Sequence, residues 1–509
     1  MIINVLEYLE MSEKKFPNKV VFADQENQIT YNNLMNKAKS IGSFISTTLN
    51  HKTKKPIAVF IDRNITSLIS FFGIVYSGNF YVPIDTQMPL NRIELIFNTL
   101  QPQAVILLQK DIELLNKIGF NGRLIIFEEA GCNLIDDMVL LQNRKKAIDT
   151  DPLYAIFTSG STGIPKGTVV CHRSVIDLIE HFTEIFDFSD KSIFGNQAPF
   201  DFDVSVKDIY STLKNGATLH VIPKVMFSFP IKLIEHLNKL EINTLIWATS
   251  ALRIVENFKA LESAIPLFLK KIMFSGEVMP IKVLNYWRTY IPEACYVNLY
   301  GPTEITCNCT YFVVNRHFAD NEMLPIGIPF PNTDIIVLNE KDQIVANNEI
   351  GEICVRGTSL ALGYYNNIEE GTRVFCQNPL NPHYPELIYR TGDLGKFNEL
   401  GELLFLSRKD SQIKHMGHRI ELGEIEIAVN ALNFLDVACC LYDSIKEIII
   451  LFYQSPKKCD KEIILALRDH LPKYMLPNKL IHFEKLPMNK NAKIDRVKLR
   501  EQFINGISH

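Results

Sequence analysis

Phe157-Thr158-Ser159-Gly160-Ser161-Thr162-Gly163-Ile164-Pro165-Lys166-Gly167 gathers three glycines, four hydroxyl side chains and one lysine into a single run. A loop that wraps a polyphosphate needs glycines so that backbone N–H groups can approach and point inward, hydroxyls to donate further bonds, and a lysine for charge. All three are present. The P-loop of kinases and ATPases requires a glycine four residues ahead of Gly-Lys-Ser/Thr, whereas this lysine follows Pro165 and precedes Gly167, so that pattern fails on spacing. Read alone, a Ser/Gly cluster equally fits a surface turn. The choice falls to the segments around it.

Those segments read as an α/β chain. The apolar runs at 56–61, 104–108 and 124–127 have the continuous hydrophobic character of buried strands, and the stretches 63–76 and 91–100 between them have helical periodicity. Residues 244–247, 271–274 and 295–299 repeat the strand pattern in the middle third, so two α/β layers are expected in one large N-terminal domain. From Asp334 onward short strands alternate with polar turns, which predicts a β-rich subdomain. After Arg408 a polar stretch leads to a helix from Leu422 and strands near 437–441 and 447–453, a small α+β domain of about a hundred residues.

Size and composition agree. A 509-residue chain exceeds what one hydrophobic core supports, so at least two domains are expected. With 47% hydrophobic and 22% charged residues it has an ordinary globular composition. A net charge of −4 provides no basic field, so no nucleic-acid partner is expected and a polyanion would have to bind at a local site such as the 157–167 loop. The N-terminus lacks the basic flank of a signal peptide, and no apolar run reaches the roughly 20 residues of a membrane span; no membrane association and a cytoplasmic location are the expectation. Ten cysteines contain no CxxC spacing, which favours buried free thiols over a metal or redox site.

The 157–167 loop resembles the signature loop of the adenylate-forming (ANL) superfamily, and companion motifs follow in that family's order along nearly the whole chain. They are Ile29-Thr30-Tyr31, Ser77 to Asp85, Asn298-Leu299-Tyr300-Gly301-Pro302-Thr303-Glu304, Gly351-Glu352-Ile353, Tyr389-Arg390-Thr391-Gly392-Asp393, Arg408 to Lys414, Arg419 to Glu426 and Asn491 to Arg496. The resemblance extends to nonribosomal peptide synthetase adenylation domains and to D-alanine:carrier-protein ligases, the latter through Phe274-Ser275-Gly276-Glu277 and the run 205–210. It implies a large adenylation domain at 1–409 and a small mobile domain at 410–509, with the hinge at Asp410. The implied activity is activation of an amino acid by ATP and Mg²⁺, then transfer to the phosphopantetheine thiol of a separate carrier protein, because the chain ends soon after Arg496. Rival readings are an acyl- or aryl-CoA ligase of the same superfamily and a catalytically silent nucleotide-binding protein.

Roles carry over residue by residue. Lys493 matches the lysine that bridges the substrate carboxylate and the α-phosphate, although Ala492 stands where the family usually has glycine. Joining two anions requires such a charge. Thr303 would bond the α-phosphate and Glu304 would hold Mg²⁺ on the triphosphate. Thr158, Ser159, Gly160, Ser161, Thr162, Gly163 and Lys166 would cradle phosphate; Tyr300 would stack on adenine, Asp393 would take the ribose hydroxyls and Arg408 would add charge. Asp203 would pair with the substrate ammonium, since a buried charge requires an opposite one. The remaining pocket would be Val204, Lys207, Ser250, Met273, Ser275, Leu299, Cys307 and Asn308. Lys207 is unusual there; it fits an acidic substrate side chain, or else pairs with Asp201 or Asp208, or extends outward. An acidic and a small D-alanine-like substrate both stay open.

Overall fold

The structure, a computed structural model, describes residues 2–160, 163–410, 412–488 and 494–504. It divides into two compact units. The first comprises Met1–Thr86, Leu100–Ile156 and Gly167–Lys409; the second comprises Gln87–Thr99, Phe157–Lys166 and Asp410–His509.

Two large sheets carry the first unit. In the seven-stranded sheet the central strands Pro56–Ile61, Phe80–Asp85 and Ala104–Leu107 run parallel. Every residue of Pro56–Ile61 is buried, as a continuous apolar run predicts for a strand covered on both faces. The nine-stranded sheet places Ile193–Asn196, Thr244–Ala248, Lys271–Ser275 and Cys295–Tyr300 side by side in parallel. A five-stranded sheet made by Thr333–Leu338, Gly351–Gly357, Leu387–Phe397, Phe375–Gln377 and Leu403–Arg408 forms the expected β-rich part.

One boundary differs with consequence. Periodicity suggested helix from Arg63, but the helix is Ile65–Tyr76, because the Asn64 side chain caps it by accepting from the Ser67 N–H at 3.3 Å. Arg63 is left outside the helix, and its guanidinium donates to the Gln197 and Asn196 carbonyls at 2.7 and 3.3 Å.

In the second unit, the hairpin Gln412–His415 and His418–Glu421 precedes the helix Leu422–Asn430, and the strands Val437–Asp443, Ile448–Gln454 and Lys479–Phe483 form one sheet. Ile425 and Val429 on the helix pack with Cys440, Leu451 and Ile463 in a core of their own. No helix among the described residues is long and apolar enough to cross a membrane.

Candidate active site

The stretch Tyr300 to Asn308 carries much of the site, and its backbone explains how. Strand Cys295–Tyr300 ends at Gly301, where a Cβ would lie 2.6 Å from the Asn308 Cα and 2.8 Å from the Cys307 carbonyl oxygen. Only glycine allows the chain to fold back that closely. A short 3₁₀ turn, Thr303–Ile305, follows. Thr306 and Cys307 then both take positive φ, 56° and 79°. For a β-branched threonine this conformation is costly, and such strain persists only where the surroundings enforce it. The Thr306 hydroxyl, donating to the Ser359 carbonyl at 2.8 Å, is one such restraint. The result is a turn that presents Thr303 and Glu304 at one end and Cys307 and Asn308 at the other.

Facing the Cys307–Asn308 end is the helix Val204–Asn215, with Asp203 at its N-cap position. Lys207 is 0% exposed, and its ammonium donates to the Asn308 Oδ1. It therefore neither extends outward nor forms an ion pair with Asp201 or Asp208. The Cys307 thiol lies beside Lys207 and Asp203, and burial pushes it up to about 12, so it stays protonated. The buried Tyr154 phenol faces the same two groups, Asp203 and Cys307. Met273, Leu299 and Cys307 belong to one core cluster, with Val204 packed against it. Ser275 is buried and pairs in register with Ala248, which places Ser250 two residues beyond the neighbouring strand pair.

Asp208 is one residue on from Lys207. Asn196 donates to its Oδ2 at 2.8 Å, and Lys207 and Arg63 both lie within electrostatic range. Burial dominates and pushes the Asp208 carboxyl up to about 7. The folded protein thus holds this proton well above the pH at which an unfolded aspartate, with pKa about 3.9, loses it. Folding takes up a proton between those two values, so this group's contribution to stability falls as pH rises from about 4 to 7 and is level above that. Asp208→Asn keeps the acceptor for Asn196 and removes the titration. Relative to the variant, wild type is expected to lose on the order of 2–4 kcal/mol across that window, seen as a Tm difference that changes between pH 4.5 and 7.5 and then stays constant.

At the other end of the turn, Glu304 is 1% exposed and its Oε1 accepts from the Tyr364 hydroxyl at 2.7 Å. The Ala361 N–H donates to the Glu304 carbonyl at 2.9 Å, tying the turn to the 361–364 segment. Asp393 is also buried, between the Tyr300 hydroxyl at 2.5 Å and the Arg408 guanidinium across the pairing of Leu387–Phe397 with Leu403–Arg408. Gly392, with φ of 72°, sets the bend before Asp393, and its N–H donates to Glu352 at 3.1 Å. Burial and the neighbouring Asp393 carboxylate hold the Tyr300 phenol well above its usual range, so it serves as a hydrogen-bond donor.

The glycine-rich loop belongs to the second unit. A Cβ on Gly160 would sit 2.0 Å from the Ile164 carbonyl oxygen, and the Gly163 N–H donates back to the Gly160 carbonyl at 3.0 Å, so the loop closes on itself only with glycine. Thr158 ends the strand Pro152–Thr158, Ser159 donates to the Arg419 carbonyl at 2.9 Å, and Lys166 is buried where the next strand begins. Asp410 accepts from the Gln412 N–H at 3.1 Å. Ser161, Thr162 and Lys493 lie outside the described residues.

Sequence motifs had not indicated Arg63, Tyr154, Asn196 or Tyr364. Each reaches the site from a strand or loop outside the motifs, so no local pattern marked it.

Two buried carboxylates are thus each held by a tyrosine, Glu304 by Tyr364 and Asp393 by Tyr300 with Arg408. Residues 9–365 match the family model described as AMP-binding enzyme, and the chain belongs to that family. It is 30% identical over 518 residues to a D-alanine--D-alanyl carrier protein ligase of Bacillus licheniformis, covering 98% of this chain and 99% of the relative. It is 29% identical over 500 residues to gramicidin S synthase 1 of Brevibacillus brevis, covering 97% of this chain but 44% of that protein, so it spans less than half of the synthase's length. Among solved structures, the Vibrio cholerae adenylation domain AlmE in complex with glycyl-adenosine-5'-phosphate superposes with a TM-score of 0.83 at 19% identity, over 99% of this chain and 98% of that one, which establishes a shared fold.

Proposed function

We propose that this chain is an amino-acid adenylation enzyme that activates an amino acid with ATP and passes the aminoacyl group to a carrier-protein thiol. The observation that carries the reading is the single strained turn that joins a pocket wall of Asp203, Lys207, Cys307 and Asn308 to the buried carboxylate Glu304. Such a turn would set an amino acid and a nucleotide end to end. The names of the carrier-protein ligase and the synthase relatives point the same way.

In the first step a substrate carboxylate oxygen bonds to the α-phosphorus and the bond to pyrophosphate breaks. Asp203 receives the ammonium and so fixes the carboxylate's direction. Thr303 bonds the α-phosphate, Asp393 receives ribose hydroxyls with Arg408 holding its carboxylate in place, and the 157–167 loop wraps the leaving phosphates. Lys493 neutralises charge between the two reacting anions. Glu304 is a buried, hard oxygen donor at the Thr303 turn, which suits Mg²⁺ bound through one carboxylate and substrate phosphates. The ion, when bound, offsets charge on the phosphates. In the second step the carrier thiol sulfur bonds to the acyl carbon and AMP leaves. We assign Asp410 as the hinge that exchanges Lys493 for the 414–419 loop between steps, with the domain boundary between 409 and 410.

The test is amino-acid-dependent exchange of labelled pyrophosphate into ATP across the proteinogenic amino acids and their D-forms. Exchange with an amino acid supports the reading. Silence with all of them, with turnover of a simple carboxylic acid and CoA, moves the chain to the CoA-ligase branch.

A further inference from the structure

The geometry points to Lys207 as the residue that selects an amino acid with an anionic side chain, an aspartate- or glutamate-like substrate. This rests on the reading of Asp203 as the ammonium site.

Lys207 lies one turn along the helix from Val204, on the face that meets Cys307 and Asn308. It is fully buried, its ammonium donates to the Asn308 Oδ1, and it forms no ion pair among the described residues. Its hydrogen-bonding neighbours are neutral: the Asn308 amide oxygen and the Cys307 thiol. The acid adjacent in sequence, Asp208, accepts from Asn196 and lies within electrostatic range of Lys207 and Arg63, but it makes no ion pair with the ammonium, and burial pushes its carboxyl up to about 7. A lysine charge taken out of water without a counter-ion is strongly disfavoured. The other acid beside Cys307 is Asp203, which the proposed function assigns to the substrate ammonium.

The pocket wall therefore carries one anion for the ammonium and one cation that no carboxylate among the described residues meets in an ion pair. A substrate side-chain carboxylate supplies that partner. Asn308, with its oxygen turned to Lys207, leaves its amide N–H groups available to the same carboxylate. The uncharged amides asparagine and glutamine, and D-alanine, would leave the lysine uncompensated, so the site rejects them through its own buried charge.

The experiment compares pyrophosphate exchange with L- and D-aspartate, L- and D-glutamate, asparagine, glutamine and D-alanine, using wild type, Lys207→Met and Lys207→Arg. Methionine matches the length of lysine without its charge. Wild type is expected to favour one acidic amino acid over its amide by about 10²-fold in kcat/KM. Lys207→Met loses that preference and gains on the uncharged analogues, and Lys207→Arg retains part of it. A thermal melt with and without ATP shows whether each variant is folded; if Lys207→Met is not, the wild-type panel and Lys207→Arg still decide. Strongest wild-type exchange with D-alanine or any uncharged amino acid overturns the Lys207 assignment and leaves amino-acid adenylation intact. Exchange with no amino acid at all removes the reading on which the assignment rests.

Discussion

Asp203→Ala is expected to lower amino-acid-dependent pyrophosphate exchange by about 10²–10³-fold in kcat/KM, as removing one partner of a buried, hydrogen-bonded charge pair costs 2–5 kcal/mol. Asp203, half-buried at the N-cap of the Val204–Asn215 helix, stands beside Cys307 and Tyr154 and is the proposed partner of the substrate ammonium. The loss should appear in the amino-acid term and not in the ATP term, because Glu304, Asp393 and Arg408 are on other elements. Steady-state exchange with amino acid and ATP varied separately measures this. A change below about fivefold, a cost under about 1 kcal/mol, would mean that the ammonium is held elsewhere.

Lys493→Ala carries the second large effect. A positioned cation between two reacting anions contributes about 10²–10³-fold to the step it serves, and here that step is adenylate formation. Aminoacyl transfer from a supplied aminoacyl adenylate to a carrier thiol should be unchanged within a few-fold, since the role proposed for Lys493 is confined to the first step. Single-turnover measurements of the two steps separate them. Equal loss in both would assign Lys493 to general binding and remove the basis for alternation about Asp410.

Much of this was legible in the sequence for physical reasons. The strands read at 56–61, 244–247 and 271–274 have apolar centres, Ile57 to Ile61, Leu245 to Trp247 and Ile272 to Phe274, because both faces of their sheets are covered. The glycines of the 157–167 loop announced close backbone approach, and at Gly160 a Cβ meets a backbone oxygen at 2.0 Å; Gly301, read only as part of a motif, makes a like approach, at 2.6 Å. The partners of the site residues were harder to read. Lys207 suggested an aspartate close by in sequence, yet its acceptor is Asn308, brought in by the turn after Gly301. Tyr364 at Glu304 and Arg63 near Asp208 come from a sheet edge and from the residue just before a helix cap, places that side-chain periodicity does not mark. Local pattern reports burial and backbone need. Which charge meets which is decided by the crossovers of the sheets.

The most direct test of adenylation is mass-spectrometric detection of the acyl adenylate in a quenched reaction of the protein with Mg-ATP and the amino-acid panel. One aminoacyl-AMP, formed with wild type and absent with Lys493→Ala, is the predicted result. ATP consumed without any aminoacyl-AMP, or no product with any amino acid under conditions where ATP binds, would contradict the account.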